Sequence, residues 1–387
     1  MERISLAQRA SIPRWLPGIL LLVAACEGPH RGAVPSPGGA QPAETSQGVR
    51  TGEVALRPSH PSLAEDVRPD IPTFIATTRS GALVLPAPTA NSDAGWVTVI
   101  SADGTIDTRI ARRGRGPGEV VTPGRVFTVG DTVLVSDPVK STLELFGADG
   151  SYRGTVRVPA VGVPMDVRGR EVLVWHPLRD GRPLVRYRIE GRELPNGSTI
   201  VTASDSFYAR ATPVSATIGE PRQPDAVLGP GITEIADRYT LQILRVDSSG
   251  RTATIGQPRI RHRTPGEVAE ARNRLAAMAR RGMPGPGGVR AAAPDVAERI
   301  SRLDRDSLPH FAPGNIHLDH LGRTWVIASD GVQGYVEVHA GDTLVSRQEL
   351  DCRSPVASDL EGEWLVVICQ EEDDVVPVLR YRVIQGE

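Results

Sequence analysis

Lysine is all but missing from this 387-residue chain: Lys140 stands alone among 44 Lys and Arg side chains. The 46 acidic residues leave a net charge of −2, which excludes a chain-wide attraction to nucleic acid or anionic lipid. Arginine is spread along the whole length and reads as a coding bias rather than a basic patch. Aromatic residues make up only 4%, so any core must be built from Val, Leu, Ile and Ala. The three cysteines, Cys26, Cys352 and Cys369, have neither the spacing of a zinc site nor that of a redox Cys-x-x-Cys pair. Also absent are G-x-S-x-G, H-E-x-x-H, S-x-x-K and any Cys–His pairing. What is abundant is turn chemistry, with 40 Gly and 33 Pro.

One apolar run stands out, at residues 19–25 behind Arg3, Arg9 and Arg14. It is too short for a permanent span, and its basic flank predicts an export signal over residues 1–25. The run ends Val-Ala-Ala-Cys, which resembles the lipobox of bacterial lipoproteins. That resemblance implies a lipid on Cys26 and a membrane partner reached through the anchor. Glu27, where an Asp would direct retention in the inner membrane, favours the outer membrane of a bacterial envelope. Residues 26–51 are rich in Gly and Pro and poor in apolar side chains, so we expect a flexible tether. Cys352 and Cys369 then remain as a disulfide in an oxidising compartment, or else as two reduced core thiols.

Beyond residue 52 the pattern changes to short Val/Ile/Leu runs broken by tight turns such as Ala-Asp-Gly and Ser-Ser-Gly. Six units look alike, at 96–110, 131–158, 170–194, 232–255, 323–350 and 363–385. Each reads as a β-meander of about 40 residues, which cannot close a core alone but forms a blade when stacked radially. The expected fold is therefore an all-β, six-bladed β-propeller of four-stranded blades over 52–387. Residues 257–309 break the pattern. Thr264, Pro265 and Glu267 form a capping-box start, and Val268, Ala269, Ala271, Leu275, Ala276 and Met278 recur at helical spacing. With a second helix near 294–304, the spacing predicts a helical hairpin between the fourth and fifth blades. Which strand closes the ring is left open, with residues 50–56 as one choice.

The segment 110–158 carries a specific likeness. Gly114, Gly116, Pro117 and Gly118, then Pro123-Gly124, Val135-Ser136-Asp137 and Leu145 to Gly150 resemble the NHL repeat. The departures are Val120 where that repeat has Phe and Gly147 where it usually has Asp. More broadly, 60–387 resembles the six-bladed β-propeller lipoproteins of bacteria. The likeness includes Ala236 to Gly250 and the run Asp319-His320-Leu321-Gly322-Arg323-Thr324-Trp325-Val326. It implies a fold, not a reaction, because such rings serve binding proteins, lyases and lactonases alike.

Three stretches are candidates for chemistry. Residues 112–119, Arg-Arg-Gly-Arg-Gly-Pro-Gly-Glu, suggest a phosphate cradle but lack the G-K-[ST] and the helix start that such a loop needs. We read Gly114, Gly116, Pro117, Gly118 and Glu119 as an inter-blade linker, with Glu119 placed to pair with Arg113 or Arg115. His310, His317, Asp319 and His320 form the densest set of metal-ligating residue types. His317 and Asp319 fall on one face of an innermost strand and His320 in the next turn, so His317 and Asp319 are the candidate ligand-binding residues. Without partners from other blades they define neither a metal site nor a catalytic one. No metal, cofactor or catalytic residue is assigned. The acidic run 371–374 lacks the alternation of a calcium loop and reads as a solvated hairpin. Asn91, Asn196, Asn273 and Asn315 do not match the channel set of the calcium lactonases, Asn196 being read as part of a turn. The function expected is an envelope binding or scaffold module for a glycan, peptide or protein. The alternative is a hydrolase or lyase working at the channel.

Overall fold

The computed structural model describes residues 54–58, 74–86, 96–212, 223–281, 283–284, 290–291, 307–370 and 378–385. Six four-stranded antiparallel sheets form the ring, one per blade. Blades 2 to 5 each run in simple chain order from the channel outward. Their innermost strands are Val126–Val129, Val163–Arg168, Asp225–Gly229 and Ile316–Leu318. Blade 1 starts with Ala76–Thr77, and blade 6 starts with Pro355–Glu361. Blade 6 completes itself from the other end of the domain: Val54–Pro58 pairs antiparallel with Val378–Gln385, Val54 opposite Gln385. The open question of ring closure is thereby answered.

Period-two burial explains why the ring holds. A six-bladed ring has six junctions, and each is filled by its own cluster of buried apolar side chains. In the blade 6 strand Trp364–Cys369, Leu365, Val367 and Cys369 pack toward blade 5, whereas Val366 and Ile368 pack toward blade 1. Such a strand is buried on both faces and reads as an unbroken apolar run. Cys352 and Cys369 are joined as a disulfide inside the blade 5–6 cluster, tying the linker into blade 6 to its second strand. Arginines add ties between blades. Arg186 donates to the Ile232 carbonyl and Arg380 to the Ser101 carbonyl, each crossing to the following blade.

Among the described residues two helices interrupt the strands. The helix Ser206–Ala211 lies in the irregular junction between blades 3 and 4, capped by Asp205, and buries Phe207 and Tyr208. The second helix, Pro265–Arg281, sits in the insertion between blades 4 and 5. Its capping box is formed: Glu267 Oε2 accepts from Thr264 N at 2.8 Å, and Thr264 Oγ1 accepts from Glu267 N at 3.3 Å. A short bridge of Arg261–His262 with Ser307–Leu308 draws the ends of the insertion together. The expected second helix near 294–304, and the 371–374 turn, lie outside the described residues. Among the described residues no helix is long and apolar enough to cross a membrane.

Candidate functional site

The innermost strands run in one direction around the axis and leave a cavity of about 640 Å³ between them. Residues leading into those strands, Phe74, Arg125 and Pro313 among them, border one mouth. The turns that follow the strands border the other, with Arg79, Arg168, His320 and Glu361. Arg125 packs over the Phe74 ring at 3.9 Å and so narrows the first mouth. At the second, Arg168 donates to the carbonyls of Leu228, Leu318 and Asp319, spanning blades 3, 4 and 5.

Between the mouths runs a closed polar girdle with at least one side-chain bond at every junction. Thr128 Oγ1 donates to the Thr77 carbonyl at 2.6 Å, tying blade 2 to blade 1. Arg125 Nη1 donates to the Met165 carbonyl of blade 3 at 2.8 Å. Asp166 accepts from Leu228 N of blade 4 at 2.6 Å, and Asp225 from Gly314 N, just ahead of blade 5, at 3.0 Å. His317 Nε2 meets Ser358 Oγ of blade 6 at 2.8 Å. Asp359 Oδ2 closes the circle by accepting from Thr77 N at 2.5 Å. Backbone groups facing a channel have no strand partner on that side, and these side chains satisfy them.

Burial sets the charge states. It pushes the Asp359 carboxyl up to about 8, helped by the like charges of Glu361 and Asp166. Burial also raises Asp166, against the hydrogen bonds from Leu228 and Val167. Asp225 is raised by burial too, with Arg238 opposing through an ion pair at 2.6 Å. The imidazole of His317 is depressed by burial to about 3, so it is neutral near pH 7.

His317 therefore sits where the sequence places it, on an innermost strand and beside the cavity. Asp319 does not share its situation. The strand ends at Leu318, and the Asp319 carboxylate turns into the following loop. There it accepts from Leu321 N, Arg323 N, Arg323 Nε and Trp325 Nε1. With Arg323 and Trp325 fully buried, the Asp-x-x-Gly-Arg-x-Trp run is a turn lock whose acceptors are spent. His310 is engaged elsewhere, its Nε2 2.9 Å from the Arg259 carbonyl, and His320 is exposed. Among the described residues no group of three His, Cys, Asp or Glu side chains is placed to hold a metal ion. Asn196 precedes the outer strand of blade 3, and Gly197 and Ser198 belong to that strand rather than to a turn.

Residues 112–119 lie between the last strand of blade 1 and the first of blade 2. Glu119 takes the N–H of Gly116 at 2.7 Å, and among the described residues it forms no ion pair with Arg113 or Arg115. The loop folds too tightly for those pairs: a Cβ on Gly114 would collide with the Glu119 carboxylate. Gly118 takes φ +73° against the Tyr152 ring, a conformation that disfavours any other residue. The lone lysine clamps the loop, since Lys140 Nζ donates to the Glu119 carbonyl at 2.8 Å and pairs with Glu144 at 2.6 Å.

The side chains overlooked in the sequence are Asp166, Ser358 and Asp359. A signal for two of them exists. Asp166-Val-Arg168-Gly169 and Asp359-Leu-Glu361-Gly362 share the form Asp-x-charged-Gly at the same hairpin register, Asp166 opposite Leu173 and Asp359 opposite Val366. Ser358, His317 and Asp359 have the composition of a hydrolytic triad but not its geometry. Ser358 donates to Asn315 Oδ1 at 2.9 Å, and His317 Nδ1 lies 3.9 Å from Asp359 Oδ1.

No family model matches the chain, and no curated protein does. Among solved structures, it is similar to a member of the DUF4221 family from Bacteroides vulgatus, with 9% identity over 87% of this chain and 100% of that one, TM-score 0.48. A protein from Bacteroides fragilis is 10% identical over 89% of this chain and 98% of its own, TM-score 0.48. A streptogramin B lyase is 10% identical over 86% and 98%, TM-score 0.41. Likenesses this loose carry nothing about ligand or reaction to this six-bladed ring.

Proposed function

We propose that this protein is a binding module of the bacterial cell envelope, engaging a glycan or peptide, free or displayed on a protein, at its central channel. The observation that supports the reading is the state of the channel's polar groups. Thr128, Arg125, Asp166, Asp225, His317 and Asp359 are each bonded across a blade junction, while about 640 Å³ stays open between them. A reaction centre needs nucleophile, base and orienting group converging on one point, whereas recognition needs a rigid polar wall. Residues held from two blades at once make such a wall. Anchoring through Cys26, export directed by residues 1–25 and an outer-membrane location belong to the same proposal, and rest on the lipobox resemblance. The Cys352–Cys369 disulfide is in keeping with an oxidising compartment.

The test is a titration of the protein with fractionated envelope glycans and peptides, read by amide hydrogen exchange. Saturable binding with protection along Val163–Arg168, Ile316–Leu318 and Pro355–Glu361 is expected. Binding without protection there, or none from any fraction, overturns the reading.

A further inference from the structure

One unit of the girdle is wired differently from the rest, and its wiring can be followed atom by atom. The amide nitrogen of Asn315 donates to the Pro355 carbonyl at 3.3 Å, which turns Asn315 Oδ1 toward Ser358. Ser358 Oγ spends its one hydrogen on that oxygen, at 2.9 Å. It is therefore an acceptor for His317, so the proton of the neutral imidazole sits on Nε2, 2.8 Å away. Among the described residues nothing donates to His317 Nδ1, which is an acceptor beside the cavity. The atom 3.9 Å from it is Asp359 Oδ1, beyond hydrogen-bonding range. Asp359 Oδ2 is already filled by the Thr77 N–H, so a proton on this carboxyl resides on Oδ1.

We propose that His317 Nδ1 and Asp359 Oδ1 together form a receptor for a hydroxyl group, and that the channel's ligand is a neutral, hydroxyl-rich molecule of the saccharide class. This rests on the channel-binding reading above and narrows it from glycan or peptide to glycan. One atom that both donates and accepts satisfies the pair. At the usual length of about 2.8 Å an oxygen reaches both groups, which subtend about 90° at it. A carboxylate would set its lone pairs against Nδ1.

The surroundings keep the pair in that state. Asp166 and Glu361 face Asp359 with like charge, while Arg168 and Arg79 lie nearer Glu361. Asp225 is occupied by Arg238 and Gly314, with Arg125 beside it. Burial of Asp359 holds its carboxyl up to about 8 and that of His317 holds the imidazole neutral, so donor and acceptor coexist from mildly acidic to neutral pH. Above that range Asp359 ionises, and two acceptors confront one another.

The experiment is calorimetric titration of the full chain with glucose and N-acetylglucosamine oligomers, and with glucuronate as the charged counterpart, at pH 6 and pH 9. Neutral sugars should bind about tenfold more tightly than glucuronate at pH 6, and should weaken at pH 9. His317→Phe and Asp359→Leu should each cost about tenfold at pH 6. Asp359→Asn keeps a donor beside His317 and should convert pH-dependent binding into pH-independent binding, a result that a merely structural aspartate would not give. Thermal melts of each variant separate lost folding from lost recognition. Equal affinity for glucuronate at pH 6, or an Asp359→Asn variant that melts normally and keeps the pH dependence, overturns the receptor. Channel protection by envelope peptides with no sugar binding would also overturn it, while leaving the binding module standing.

Discussion

Asp166 and Asp359 occupy the same register position in opposite blades of the ring, and each gives a carboxylate oxygen to a backbone N–H of the blade that follows. The two carboxyls also sense one another, Asp166 adding to the rise in Asp359. The ring is thus held partly by acids that fold best uncharged.

For Asp359 this becomes a dependence of stability on pH. Its carboxyl shifts from an ordinary 3.8 to about 8 in the fold. Between those values the folded chain keeps a proton that the unfolded chain has released. Its contribution is therefore complete below pH 3.8 and is lost as pH rises through about 8. Asp359→Asn should match the wild type at low pH and gain on it as pH rises. Urea midpoints across the range will show this, and a constant gap would mean that Asp359 ionises without penalty.

The disulfide should matter for the whole ring, because it sits in a junction cluster rather than on a loop. Replacing both Cys352 and Cys369 by Ala is expected to cost ~3 kcal/mol, the entropy of a loop of this length. Equilibrium urea unfolding measures it. Reduction of the wild type should approach the same value.

Closure by Val54–Pro58 makes a sharper prediction. Deleting these five residues strips Val378–Gln385 of its partner and leaves a long exposed edge. The truncated protein should lose more stability than the disulfide variant and should aggregate. A synthetic peptide spanning residues 52–60 should restore solubility when added in trans. Failure of that rescue, with the truncated protein remaining monomeric, would count against a closing role.

Lys140 offers a test of the linker. Among the described residues, Lys140→Met leaves Glu144, fully buried, with the hydroxyls of Thr142 and Thr155 as its only side-chain partners. Stranding a buried charge should cost about 3 kcal/mol. Adding Glu144→Gln should return much of it, since the amide needs no counter-ion. Urea unfolding of the two single variants and the double variant gives the coupling energy.

Anchoring is checked most directly by metabolic labelling. Palmitate incorporation into the expressed protein should vanish on Cys26→Ser, and unchanged labelling would refute the lipid.

Six blades are legible in the sequence because the middle strands are buried on both faces, so runs such as Trp364–Cys369 stay apolar throughout. Their turns are legible because Gly104, Gly150 and Gly250 adopt φ values of +90°, +82° and +82°, which few other residues tolerate. The innermost strands are far less readable. Two of them are short, Ala76–Thr77 having two residues and Ile316–Leu318 three, and Val163–Arg168 and Pro355–Glu361 carry the charged residues of a polar loop. An isolated aspartate such as Asp359 reads as solvated until ring closure brings Thr77, 282 residues away, onto its oxygen. His317 was accessible to sequence reasoning because its neighbours form a recognisable strand and turn. Strict alternation sets Asp319 on the face of His317 because it takes no account of a strand that stops at Leu318. The helix Ser206–Ala211 is too short to show any periodicity.

Closure of the ring also sets a schedule for synthesis. Leu56 donates its N–H to Gln348, 292 residues later, and Val54 waits for Gln385 at the far end of the chain. The segment that seals the last blade is therefore made first and used last. Until translation finishes, it travels as an unpaired strand while five blades assemble without it, the two end faces of that stack left uncovered. At about 5–20 residues per second that interval lasts tens of seconds. A holding chaperone, rather than a faster intrinsic folding rate, is what such a chain most needs while its ring stays open.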